Sequence, residues 1–384
     1  MRIFASNAVL PTGIDSAYLE VEAGQISNIT TGAAARKLSD AADLILDAGY
    51  LAPGLIDLQI NGAFGTDFMA ATESDWFNIL NRMTSTGVTA IYPTIITAPV
   101  QKLAEWFIEN HKYVNSHPDR CAVLGFHLEG PFLSTARKGA HRIDDITNPT
   151  KDLIEKLLSA ANGSLKIITI APELPGSAAA ISQLLAAGVK VSVGHSDADA
   201  ATVAQAADLG ATLITHLFNA QSPINHRKTG VAGQALIDPR FTLGLIVDLH
   251  HVAVETVQLA FQAAADRICL VTDAISALGM PPGQYELAGE AVTVSQSGAP
   301  ARADGTLAGS ALRLDHAISN CIDIGIDPYR AILAATMVPA AAMGLNDRGQ
   351  LRAGMRADLV WLNSTSSGLE ASATWILGKQ VFSK

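Results

Sequence analysis

Charge is scarce in this chain. Lys, Arg, Asp and Glu make up 16% of its 384 residues, the formal balance is −10, and there is no basic run of the kind a nucleic-acid footprint needs. A polyanionic partner is therefore not expected, although one or two local cations would suffice to hold a single phosphate. Cysteine is scarcer still. Cys121, Cys269 and Cys321 are odd in number and widely scattered, so neither a disulfide framework nor a thiolate metal cluster is indicated. No stretch is long and apolar enough to span a bilayer. The segment Met1 to Ala8 enters an alternating strand pattern directly, without the apolar core and cleavage site of a leader. The expectation is a soluble, cytoplasmic protein with neither a nucleic-acid nor a membrane partner. A glycine-rich dinucleotide turn after the first strand is also missing, which argues against an open doubly wound sheet.

What is present is a long alternation of apolar runs and amphipathic ones. Hydrophobic residues make up 49% of the chain, enough for one large core and a smaller satellite. Strand candidates begin near Leu51, Val88, Ala122, Leu165, Lys190, Ala211, Phe241 and Ile268. Helical patterns lie between them: Glu73 to Thr86, Val100 to Val114, Lys151 to Ala161, Ala178 to Ala187, Ala198 to Leu209 and Val252 to Ala265. Thr72 with Asp75 is a capping signal, and Gly87, Gly188 and Gly210 are stop signals. Eight strand-helix units in one series predict an α/β chain folded as a (β/α)8 TIM-type barrel. The two ends read differently. Tyr18 to Glu22 and Gln25 to Ile29 form a hairpin pattern around Ala23-Gly24, and strand patterns return at Ala357 to Leu362 and Ala373 to Phe382. Neither end can bury a core alone. Residues 1–50 and 351–384 are expected to form one small β-sandwich bracketing a catalytic barrel over 51–350, with a hairpin insertion at Tyr285 to Val294.

Four of the apolar runs stop on side chains that bind metals or move protons: Glu129, His195, His216 and Asp273. In a parallel barrel the C-terminal strand ends share one face, so these four converge. Glu129, His195 and His216 make a one-carboxylate, two-imidazole set that leaves a coordination position open for water. Asp273 beside it is suited to take a proton from that water and return it to a leaving amine. The plainer alternatives are a solvated strand end for any one of these residues and a helix cap for Asp273.

The segments Pro53-Gly54-Leu55-Ile56-Asp57-Leu58-Gln59-Ile60-Asn61-Gly62, His127-Leu128-Glu129-Gly130-Pro131, Gly194-His195-Ser196, Thr215-His216-Leu217-Phe218-Asn219-Ala220 and Val271-Thr272-Asp273-Ala274 resemble the N-acetylglucosamine-6-phosphate deacetylases of the amidohydrolase superfamily. The likeness runs over nearly the whole chain. It implies hydrolysis of N-acetyl-D-glucosamine 6-phosphate to D-glucosamine 6-phosphate and acetate, with Glu129, His195 and His216 as metal ligands. It also implies that His141 hydrogen-bonds the acetyl oxygen, and that Ala140, Asn219, Ala220, Arg227, His251 and the Leu307-Ala308-Gly309 stretch contact substrate. His250, one residue from that match, reads as structural. In Gly305 to Ser310, small residues are expected to let backbone approach the sugar. His226-Arg227-Lys228 is a local cationic cluster in an acidic chain, fit to grip a phosphate or simply a solvated turn. The resemblance implies a homodimer in which Arg227 reaches the neighbouring subunit's site.

Many superfamily members carry His-x-His on the first strand to hold a second metal, whereas this chain has Gln59-Ile60-Asn61. Amides are poor zinc ligands. Lys166 stands at the start of its strand, the wrong end to bridge two ions. One divalent ion per subunit is expected, zinc by ligand type, with Gln59 and Asn61 either near substrate or bonded to neighbouring loops. Two rival readings remain: an N-acetylgalactosamine-6-phosphate deacetylase, which Gly279 to Tyr285 also resembles, and an inactive sugar-phosphate sensor. A dihydroorotase-like activity is disfavoured by the missing His pair and lysine.

Overall fold

The computed structural model describes residues 1–296 and 298–384. At its centre are eight parallel strands, Leu55–Ile60, Val88–Ile96, Phe126–Glu129, Leu165–Ile170, Lys190–Val193, Leu213–Ile214, Thr242–Leu245 and Ile268–Leu270, called first to eighth below. Each pairs in parallel with the next. The ring closes just past the eighth strand. There Asp273 N donates to Gln59 O (2.8 Å), Asn61 N donates to Ala274 O (2.7 Å), and Ile60 bridges Ala274. Below that seam the fully buried Asp57 carboxylate accepts from Thr272 Oγ1 at 2.6 Å. Helices cover the outside, so the strands are buried on both faces and read as continuous apolar runs. The second strand is buried at every position.

The expected helices are present, with ends shifted by a few residues. Thr72 and Asp75 form a reciprocal capping box at the start of Glu73–Arg82, a device worth about 1 kcal/mol. That helix turns Trp76, Ile79 and Leu80 into the barrel core. Two expected strands divide. The run near Leu51 splits at Pro53-Gly54: Tyr50–Pro53 pairs with the C-terminal strand Leu359–Thr365, and the barrel begins at Leu55. A proline has no N–H to continue the ladder. The run near Ala122 also splits, Ala122–Val123 pairing only with the second strand.

Strands from both chain ends, Arg2–Leu10, Gly13–Glu22, Gln25–Thr31, Leu44–Leu46, Tyr50–Pro53, Leu359–Thr365, Gly368–Ile376 and Lys379–Ser383, belong to one hydrogen-bonded sheet. It encloses its own small core, in which Ile3, Leu19 and Ile26 pack with Leu359 and Trp375. The insertion after the eighth strand is a three-stranded antiparallel sheet, Gly283–Leu287, Glu290–Val294 and Pro300–Ala301. Leu287, Val292 and Val294 pack against Ile96, Ile275 and Ala308, seating this sheet at the barrel mouth. Among the described residues, no helix is long and apolar enough to cross a membrane.

Candidate active site

The strand ends gather the four residues through an unusual backbone. His195, His216 and Asp273 have φ of 48°, 26° and 48°. L-residues seldom take this left-handed region, which costs of order 1–3 kcal/mol at each position and recurs at functional sites. In each case the chain leaves the strand abruptly and the side chain meets its counterparts across the mouth.

Glu129 Oε1 lies 2.9 Å from His216 Nε2 and 3.1 Å from His195 Nε2, and the two imidazole nitrogens are 3.1 Å apart. Nδ1 of His195 is 2.9 Å from the carbonyl of Arg137. A carbonyl only accepts, so Nδ1 carries the ring proton and Nε2 presents a lone pair to the other two atoms. One carboxylate oxygen and two imidazole nitrogens converging at this spacing in a buried place fit a divalent cation with one carboxylate and two imidazole ligands. Without a cation, burial works against the charge of Glu129, but the two histidines outweigh it and hold its carboxyl well below the usual range. Burial likewise opposes charge on His216, yet the Glu129 carboxylate lifts it to about 9. The site thus attracts positive charge by construction.

Asp273 stands on the other side of this cluster. Its Oδ1 accepts from Asn61 Nδ2 at 2.7 Å and Gln59 Nε2 at 3.2 Å, and the same Gln59 nitrogen donates to Glu129 Oε1 at 3.2 Å. The first-strand amides therefore clamp the two carboxylates with N–H groups where a His pair would hold a metal. Asp273 caps no helix, which sets aside that alternative. Burial first, and the Glu129 charge second, raise its pKa to about 6.

A cavity of about 400 Å³ opens over the cluster, within the usual range for a small-molecule site. Asn61, Glu129, Ala140, His141, His195, His216, Asn219, Ala220, His251, Asp273, Leu307 and Gly309 line it. His141 is buried, which pushes its pKa well below the usual value and keeps the ring neutral. Three expected residues do not line the cavity. Gln59 sits behind the ligands. Ala308 is buried in the insertion core. Arg227 is exposed and borders a separate groove with Asp197, Asp199 and Lys228. Gly309 lines the cavity, and its small size also serves packing: a Cβ there would meet the Asp273 carbonyl at 2.7 Å, so the glycine permits close approach to the turn that follows the eighth strand.

The sequence reading passed over three supports. Asp248 Oδ2 lies 2.7 Å from His251 Nδ1, orienting that ring toward the cavity. Burial opposes its charge, yet contacts with His251 bring its pKa down to about 2. Its position three residues past the seventh strand, like the other strand-end acids, was the available signal. The Arg137 carbonyl and Thr97, which touches His141, left no such signal.

The amidohydrolase family model matches residues 50–381. N-acetylglucosamine-6-phosphate deacetylase of Bos taurus is 36% identical over 355 residues, 89% of this chain and 86% of that protein. N-acetylgalactosamine-6-phosphate deacetylase of Escherichia coli O157:H7 is 34% identical over 87% of this chain and 88% of its own length. A variant of N-acetyl-D-glucosamine-6-phosphate deacetylase from Mycobacterium smegmatis, solved in complex with N-acetyl-D-glucosamine-6-phosphate, superposes with a TM-score of 0.92 at 32% identity, covering 100% of this chain and 99% of that one. With the barrel, the converging strand-end ligands and relatives matched from end to end, the chain belongs to the amidohydrolase family, in its N-acetylglucosamine-6-phosphate deacetylase branch.

Proposed function

We propose that the chain hydrolyses the acetamide of N-acetyl-D-glucosamine 6-phosphate to D-glucosamine 6-phosphate and acetate, with one divalent ion held by Glu129, His195 and His216. The observation that carries this reading is the convergence of one carboxylate oxygen and two imidazole nitrogens beside a second carboxylate that is clamped on one oxygen only. When bound, the ion supplies a Lewis acid that polarises the acetyl oxygen and makes water a nucleophile near neutral pH. Zinc suits the ligand set, and the first-strand amides support a single ion.

The chain's own residues supply the rest. With Oδ1 taken by Asn61 and Gln59, the second oxygen of Asp273 accepts the proton of the attacking water. Asp273 then delivers that proton to the nitrogen as the C–N bond breaks, because an unprotonated amine leaves poorly. His141 donates to the acetyl oxygen and shares the negative charge that develops there. His251, set by Asp248, contacts the substrate together with Asn219, Ala220, Ala140 and the 307–309 backbone. Arg227 does not reach its own chain's cavity. It completes the phosphate side of a second copy's site, which makes the working unit a homodimer. A cytoplasmic location accords with a phosphorylated substrate and with three buried, unpaired cysteines.

An acetate-release assay on both 6-phosphorylated N-acetylhexosamines, with and without chelator, tests the reading. Acetate from the gluco substrate that disappears on chelation and returns with zinc is expected. Release from the galacto epimer alone would support the second reading, which the 34% identical galactosamine enzyme motivates. No acetate from either would leave a sugar-phosphate sensor.

A further inference from the structure

Thr97 lies one residue past the second strand and is buried (3% exposed). Its backbone N–H points at Nδ1 of His141, 3.4 Å away, and its hydroxyl oxygen is 2.7 Å from the same nitrogen. A backbone N–H can only donate, so Nδ1 bears the lone pair. The hydroxyl has one proton and two acceptors within reach, Nδ1 at 2.7 Å and the Glu129 carbonyl at 3.2 Å; with the N–H fixed as a donor, the shorter contact takes that proton to Nδ1. In the opposite arrangement the hydroxyl would give its proton to the Glu129 carbonyl at 3.2 Å and receive one from Nδ1, setting that ring proton against the Thr97 N–H. With Nδ1 serving as acceptor, the single proton of the neutral ring resides on Nε2, the nitrogen left for the cavity that His141 lines. The neighbouring backbone is shaped for this contact: a Cβ at Gly130 would lie 2.2 Å from the Thr97 hydroxyl oxygen.

We infer that Thr97 is a positioning residue that locks His141 in the Nε2–H form, making it a hydrogen-bond donor and keeping it off the metal. Such a lock has something to prevent. Ligand-capable atoms of Glu129, His141 and His195 all lie within 4.8 Å of one another, close enough for His141 to be recruited as an additional ligand. A protonated Nε2 has no lone pair to give, so the position needed by water and the acetyl oxygen stays open. The inference rests on the hydrolytic reading for its consequence, but its structural content is the state of one ring.

The test uses zinc-loaded enzyme labelled with ¹⁵N-histidine. Long-range ¹H–¹⁵N correlations, assigned with the His141→Asn variant, should show the proton of His141 on Nε2. A proton on Nδ1, or a zinc-bound His141 nitrogen, overturns the inference whatever the variants do. Thr97→Val should lower kcat by about tenfold, part of the ~100-fold or more that loss of an oxyanion donor costs. KM and zinc content should stay near wild type, and Thr97→Ser should recover most of kcat. Cobalt-substituted Thr97→Val should show altered ligand-field bands if His141 joins the metal. In a His141→Asn background the valine change should cost nothing further; an equal loss there would mean that Thr97 acts only through packing. Should the valine variant fail to fold, the wild-type ring spectrum still decides. Wild-type enzyme inert on both sugar phosphates would defeat the hydrolytic reading while leaving the ring assignment measurable.

Discussion

Glu129, His195, His216 and Asp273 are 3 to 8% exposed and bonded to one another or to first-strand amides, whereas Arg227 stands exposed on a short turn. That turn is closed by reciprocal backbone bonds between Asn225 and Lys228. In the buried cluster Glu129 Oε1, both ring nitrogens of His195, His216 Nε2 and Asp273 Oδ1 each meet a partner from the same chain. The exposed turn does not meet the cavity over which its charge would act. The contrast separates two tasks. Bond breaking demands donors fixed to fractions of an ångström in a dry place, and a barrel mouth supplies them from strands that cannot move independently. Gripping a phosphate needs only a mobile cation within reach, and a loop can lend that to a neighbouring chain.

Breaking the buried side should have the largest effect. Removing the ion with a chelator, or deleting a ligand with His216→Ala, should abolish acetate release, and metal analysis of the intact protein should find about one tightly held ion per chain. Two catalytically required ions would contradict the reading of the first-strand amides. Next comes Asp273→Asn, which keeps the shape and removes the proposed proton acceptor. Turnover should fall by at least ~100-fold while the metal stays bound; near-normal turnover would assign the base elsewhere.

On the exposed side, Arg227→Ala removes the phosphate contact proposed for this side chain, a charge-assisted bond of a kind worth about 1.5–3 kcal/mol. The kcat/KM on the 6-phosphorylated sugar should drop accordingly, with little change on the slow unphosphorylated one. Mixing Arg227→Ala chains with Asp273→Asn chains sharpens the comparison. Hybrid dimers should regain activity, since one site then carries both defects and the other neither; hybrids without recovery would mean that Arg227 works within its own chain or not at all.

The smallest effect on turnover is expected at Asp57, deep under the mouth. Burial raises its folded-state pKa from the ordinary carboxylate range to about 7. The folded chain therefore holds a proton that the unfolded chain has lost, and this contribution to stability is present at low pH and disappears as pH rises from about 4 through about 7. Asp57→Asn should flatten that slope, measured by urea unfolding at pH 5 and pH 8. An unchanged slope would mean that Asp57 is already ionised in the folded protein.

The buried cluster was also the more legible half. A ligand at the end of an apolar run is a local signal, and four such runs sufficed to indicate both the barrel and its chemistry. The helix starts and stops were readable for the same reason, as at Thr72 and Asp75. Supports made across long separations were not readable. Thr97 meets His141 over 44 residues, and nothing in either neighbourhood announces it. The break at Pro53-Gly54 was in plain sight, yet which side of it joined the barrel depended on pairing with Leu359–Thr365, some 300 residues away in sequence. Arg227 was legible as a cation, but its residue type says nothing about the direction in which the loop carries it.

The left-handed backbone at His195, His216 and Asp273 has a consequence for anyone who evolves this enzyme in the laboratory. Glycine or asparagine would sit more comfortably at those three positions than the residues to which the chemistry is assigned in the proposed mechanism. A library sorted only for resistance to heat would therefore be drawn toward substitutions at the centre of the site, and its hardiest members would be folded, soluble and inert. Selection on this scaffold has to score acetate and melting temperature together, because at these positions the two objectives point in opposite directions.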